Sequence, residues 1–114
     1  MDNFKDKVAV VTGGAQGIGR CIAEEFQKVG AHVCIIDKQE GNHFVGDIAD
    51  KLVLEQFAQE VIAKHGHVEY LLNNALPLMK GIDECSYEEF QYAMSVGVTA
   101  PFYLAKLFAR HFAE

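Results

Sequence analysis

The sequence predicts an α/β fold: a parallel sheet with helices on both faces. Three observations lead there. Short apolar runs, "VAVV" at 8–11 and "HVCII" at 32–36, alternate with stretches of helical period. Both runs are bounded by polar residues, the pattern of strands buried on two faces. The first run also empties into the glycine-rich "TGGAQGIG" at 12–19, which opens a helix.

The elements follow in order. After the strand at 8–11, Ile18, Ile22, Phe26 and Val29 recur at helical spacing from Gly17 onward, and Gly30 is the stop. The second strand, 32–36, ends at Asp37, and "HFV" at 43–45 is a brief third strand. The chain between Asp37 and Asp47 is too short for a crossover helix, which takes about a dozen residues. "KQEGN" is therefore a loop, and one face of the sheet is thinly covered there. Asp50 caps a helix whose face is Val53, Phe57 and Val61 and whose stop is Gly66. "YLLN" at 70–73 is the fourth strand. Ser86 and Glu89 form a capping box for a short helix reaching about Met94. Pro101 suits the first turn of a last helix that runs to the terminus.

Length and composition set limits. A chain of 114 residues is one domain, 1–114. A formal net charge of −6 without a basic run argues against nucleic acid and anionic membrane as partners. No apolar stretch reaches membrane-spanning length. The polar start "MDNFKDK" does not read as a signal peptide. Cys21, Cys34 and Cys85 are an odd number without metal-like spacing, with Cys34 a buried thiol; a reducing, cytoplasmic location fits. His32, His43, His65, His67 and His111 are scattered, so no metal site is expected.

A strand, a glycine turn and a helix N-terminus together make an anion site. The first N–H groups of a helix lack internal partners, and the helix dipole is positive there. Gly13, Gly17 and Gly19 would let the backbone approach a pyrophosphate, with Gln16 and Ile18 in the same turn. Asp37 ends the second strand at close to the roughly 20 residues past the glycines expected of an acid that grips ribose hydroxyls.

With these residues in place the chain resembles the short-chain dehydrogenase/reductase family over nearly all its length. "TGGAQGIG" resembles the family's TGxxxGIG turn, "GDIAD" at 46–50 its Asp-plus-apolar pair, "NNAL" at 73–76 its NNAG, and "SVGVTAPFYL" at 95–104 the segment between its fourth and fifth helices. The resemblance implies a Rossmann-like doubly wound sheet, truncated to about four strands in the order 3-2-1-4. It implies that Asp47 contacts adenine with Ile48 against it, that Asn73 serves the sheet, and that Asn74, Ala75 and Leu76 lie beside the cofactor. NAD is favoured over NADP, because Asp37 would repel a 2′-phosphate; Lys38, the next residue, could partly compensate.

The resemblance also implies hydride transfer between nicotinamide and an alcohol or carbonyl carbon, using a Ser, a Tyr and a Lys from a fifth strand and the helix after it. No such set occurs by Glu114, so no catalytic residue is assigned and the chain is expected to be a cofactor-binding portion, inactive alone. Tyr103 has Lys106 three positions on rather than four, and Tyr70, Tyr87 and Tyr92 have no lysine at the fourth position. Two positions depart from the family pattern: Gly97 stands where it has a relay Asn, and Leu76, followed by Pro77, where NNAG has its glycine. The bare fourth-strand edge and the wide apolar arc of the last helix (Phe102, Tyr103, Leu104, Leu107, Phe108, Phe112) suggest a homo-oligomer or a missing C-terminal half. Two other readings stay open: a free-standing dimeric nucleotide-binding module without catalysis, and a structural protein with a vestigial turn.

Overall fold

The computed structural model describes residues 4–76 and 80–112. Four parallel strands form one sheet: β1 (Val8–Thr12), β2 (His32–Asp37), β3 (Phe44–Val45) and β4 (Tyr70–Asn73). Their order is β3-β2-β1-β4, the expected 3-2-1-4. All five residues of β1 are buried, because it alone has helices on both faces and a strand on each side.

The helices are α1 (Gly17–Lys28), α2 (Lys51–His65), α3 (Tyr87–Met94) and α4 (Ala100–Phe108). Strand alternation sends Val8, Val10 and Ile36 to one face, where Leu54, Phe57 and Val61 of α2 and Leu104 and Phe108 of α4 join them in the main core. Val11 and Ile35 face the opposite way, towards the glycine turn and the α1 side. No helix links β2 to β3, as expected from the short connection, and only Ile36, the fifth of the six residues of β2, is fully buried. Cys34 is accordingly half-buried rather than enclosed, and its burial pushes the thiol pKa up.

Both predicted caps of the later helices form. Asp50 accepts from the amide of Leu52, and Ser86 and Glu89 make the reciprocal capping box. Gly66 closes α2 in the left-handed region at φ 80°.

Several expectations need correction. Ile18 is not on the packed face of α1; it is 76% exposed, and Gly19 and Ala23 pack instead. Small residues win that face because α1 lies close against the turn below it. The buried face of α2 is centred on Leu54, Phe57, Ala58 and Val61, with Val53 only at its margin. The last two helices are not separate. A π-helical turn, Ser95–Thr99, joins α3 to α4 in one continuous rod, with the amide of Ala100 bonded to the carbonyl of Ser95. Pro101 cannot donate to the carbonyl one turn back, and the wider turn just before it absorbs the disruption. The α-helix then stops at Phe108, followed by a 3-10 turn, Ala109–His111. The apolar arc is also divided: Leu104 and Phe108 are in the core, whereas Phe102 is 65% exposed.

At the N-terminal end of the strands, the rings of His32 and His65 lie 5.4 Å apart. Burial, followed by the neighbouring His32, Lys64 and His67, lowers the pKa of His65. The folded chain thus binds a proton there less readily than the unfolded chain. Stability is full above the ordinary histidine pKa of about 6.5 and falls as the pH drops below it. Urea midpoints measured from pH 7.5 to 5 should fall with acidity, and His65→Gln should flatten that slope.

Candidate functional site

A cleft of about 950 Å³ opens at the C-terminal edge of the sheet, on either side of the end of β1. It collects residues from five separate segments. The turn after β1 supplies Gly13, Gln16, Gly17 and Ile18, and the end of β2 supplies Asp37 and Lys38. Asp47 and Ile48 come from the loop after β3, and Asn74, Ala75 and Leu76 from the exit of β4. Of the residues expected from the sequence to hold a cofactor, only Gly19 is not on the cleft wall: it is buried behind it.

The shape of the turn follows from its glycines. Gly17 has φ +60°, a conformation that side chains rarely adopt, and a Cβ there would project into open space on the cleft wall. Gly19 is the opposite case, for a Cβ there would collide with the side-chain amide of Asn74 and the carbonyl of Gly13. That amide donates to the Gly13 carbonyl at 3.1 Å, bracing the turn from the β4 side. Gln16 stands at the N-cap of α1 in an extended conformation and makes no side-chain cap. The contrast with α2 and α3 is informative, because both carry side-chain caps whereas α1 leaves its first amides uncapped at the cleft.

Asp37 faces the turn. One carboxylate oxygen accepts from the amide of Ala15 at 3.1 Å and the other from that of Gln39 at 3.0 Å. Each oxygen keeps a second lone pair for an incoming hydroxyl. Lys38 makes no ion pair with Asp37 among the described residues; its ammonium lies 5.6 Å from the centroid of the Tyr92 ring. Ile36, Ile48 and Val96 give this end an apolar floor.

Sequence reasoning missed several parts. Thr12 is 1% exposed, and its hydroxyl accepts from the amides of Asn74 at 3.0 Å and Ala75 at 3.1 Å, joining the ends of β1 and β4. Its place at the head of the glycine turn was the available signal. Lys80, Cys85, Glu88, Glu89 and Tyr92 form the outer wall, where Lys80 pairs with Glu89 at 2.5 Å. Lys80 and the capping bond from Ser86 hold the pKa of Glu89 down. Nothing in sequence spacing announces that wall, because α3 reaches the cleft only through the tertiary fold.

Tyr92 meets Lys38 through space although no lysine stands four positions after it in sequence. The pairing does not activate the phenol: burial, and then the carboxylate of Asp47, push its pKa up. Tyr103 points elsewhere, donating to Glu55 on α2. Gly97 sits inside the π turn. Leu76 is 84% exposed at the cleft mouth, and Pro77 lies outside the described residues. Among the described residues, no three His, Cys, Asp or Glu side chains converge as a metal site, and no helix is long and apolar enough to cross a membrane.

Comparison with known proteins gives the same picture. The family described as "short chain dehydrogenase" matches residues 7–114. L-fucose dehydrogenase of Mus musculus is 31% identical over 97% of this chain and 46% of its own length. An apo SCOR enzyme from Clostridium thermocellum superposes with a TM-score of 0.85 at 37% identity, over 93% of this chain and 49% of that one. A metagenomic short-chain oxidoreductase in complex with NADP gives 0.86 at 26% identity, over 95% and 56%. The chain spans about half the length of most of the curated relatives it matches.

The Thr12 hydroxyl tests how far the site depends on this junction. Thr12→Val keeps the shape but removes the acceptor for the amide of Ala75. A loss of about 1–3 kcal/mol in unfolding free energy is expected from urea denaturation.

Proposed function

The chain belongs to the short-chain dehydrogenase family, and on that premise we propose that residues 1–114 are a single dinucleotide-binding domain of an NAD(P)-dependent oxidoreductase acting on alcohols and carbonyls. The observation that carries this reading is the uncapped N-terminus of α1 opening into the same cleft as Asp37. A helix that forgoes its cap keeps its first amides free for an anion, and the glycine turn leaves that anion room.

The residues fit an adenine dinucleotide along the cleft. The backbone from Gly13 to Gly19, with Gln16 and Ile18 at its rim, would hold the pyrophosphate. Asp37 would accept from the adenosine ribose hydroxyls, Asp47 and Ile48 would meet the adenine, and Asn74, Ala75 and Leu76 would line the path to the nicotinamide. The bound nicotinamide would accept or supply the hydride. This chain's own residues bind, orient and shield the dinucleotide. The Ser, Tyr and Lys typical of the family would be contributed from outside these residues, and the chain by itself would not turn over.

NAD is the better fit. Asp37 stands where a 2′-phosphate would need a cation, and Lys38 is drawn towards Tyr92. The exposed edge of β4 and the exposed Phe102 of α4 support a homo-oligomer. Three free cysteines suit a reducing cytoplasm.

Two substitutions test the site. Asp37→Ala should weaken NAD binding by about tenfold or more, the worth of hydrogen bonds to a charged group, and narrow the gap to NADP. Gly17→Val places a branched side chain at φ +60° on the cleft wall and should abolish binding of both. Calorimetric titration with NAD and NADP reads both outcomes; unchanged affinity in either variant contradicts the corresponding assignment.

A further inference from the structure

The outer wall of the cleft holds a contact that neither the glycine turn nor Asp37 accounts for. Tyr92, on α3, donates its hydroxyl hydrogen to Oδ2 of Asp47 at 2.7 Å. Oδ1 of the same carboxylate accepts from the amide of Ala49 at 2.9 Å. With one donor on each oxygen the carboxylate cannot turn about its own axis without losing a bond. Each oxygen still has a second lone pair, now aimed in a fixed direction. Lys38 closes the arrangement from the β2 side, its ammonium 3.4 Å from the Tyr92 oxygen. Beside it, Ile48 and Val96, 7% and 6% exposed, give the cleft an apolar lining against which a base can lie.

The pair is also chemically one-sided. The raised pKa of Tyr92 keeps the phenol protonated at neutral pH, so it donates and Asp47 accepts. What remains free on the Asp47 carboxylate itself is acceptor capacity alone. A nucleobase that offers an exocyclic amine there completes the set. One that offers a carbonyl oxygen sets acceptor against acceptor.

We propose that Tyr92 is a positioning residue for nucleobase recognition: by pinning the carboxylate of Asp47 it aims the remaining acceptor at the amine of adenine, so that the site selects an adenine over a hypoxanthine dinucleotide. This rests on the reading that the cleft takes an adenine dinucleotide with its base at Asp47, and deepens it. Without the phenol hydroxyl the carboxylate would rotate towards solvent and accept from water. Either base would then be tolerated more evenly.

The test is a comparison of dissociation constants for NAD and nicotinamide hypoxanthine dinucleotide, measured by calorimetry on the full chain. Wild type, Tyr92→Phe, Asp47→Ala and the double variant are needed. Tyr92→Phe keeps the ring and the helix, and thermal unfolding checks that it folds. Wild type is expected to prefer NAD, and Tyr92→Phe to lower that preference by about tenfold, the scale of one hydrogen bond to a charged group. In the Asp47→Ala background the same change should alter nothing further, because Tyr92 acts through Asp47. A merely structural role would weaken both dinucleotides alike and leave their ratio untouched; that result overturns the proposal, as does full additivity in the double variant. Wild type binding both equally overturns base selection while leaving the dinucleotide reading intact. Wild type binding neither overturns both.

Discussion

The cleft depends first on the junction at the end of β1, where Thr12 is held between strands. Its hydroxyl is buried and satisfies two backbone amides at the exit of β4. A buried amide without an acceptor costs as much as several favourable contacts return, so this position is closely determined. Once Thr12 ties β1 to β4, Asn74 stands next to the turn and bonds the carbonyl of Gly13. That contact in turn leaves no room for a side chain at Gly19. Asp37 grips the same turn from the β2 side through the amide of Ala15. The glycine turn is therefore braced from both neighbouring strands. Its free amides are displayed by a rigid frame, as a preorganised anion site requires.

Much of this was legible in the sequence, for reasons that can be named. The buried strands and helix stops are local features: apolar runs, Asp50 and Ser86 as caps, Gly66 as a terminator. The absent crossover helix followed from chain length alone. The candidate site was legible where backbone conformation dictates residue type, at the glycines, or where a strand end dictates position, at Asp37. Thr12 escaped because a threonine closing a strand is unremarkable until its partner strand is known.

The failures have one cause, which is competition between neighbouring elements for the same face. The period of α1 is satisfied by Ile18 in sequence, yet the turn below brings the helix so near that only Gly19 and Ala23 fit there. Ile18 is turned out to the cleft instead. On α2 the face rotates towards Leu54 and Ala58 because α4 packs across it. Pro101 does lie in the first turn of α4, but the π turn at Ser95–Thr99 accommodates it and keeps α3 and α4 continuous. Local propensity names these residues correctly; their partners decide which way they point.

That continuity explains why the outer wall exists at all. A true break before Pro101 would uncouple α3 from α4, whose Leu104 and Phe108 are anchored in the core beside α2. Joined through the π turn, α3 inherits that anchorage and carries Tyr92 to within hydrogen-bonding distance of Asp47, on a loop that itself leads into α2. Both partners of the contact are thus referred to one packed layer, α2 against α4. The end of the cleft that carries Asp37 and Asp47, floored by Ile36, Ile48 and Val96, is braced by that layer and by β2. The other end, where Leu76 stands exposed at the mouth, has no comparable wall among the described residues. The geometry therefore fixes the Asp37 and Asp47 end of the cleft more tightly than the Leu76 end.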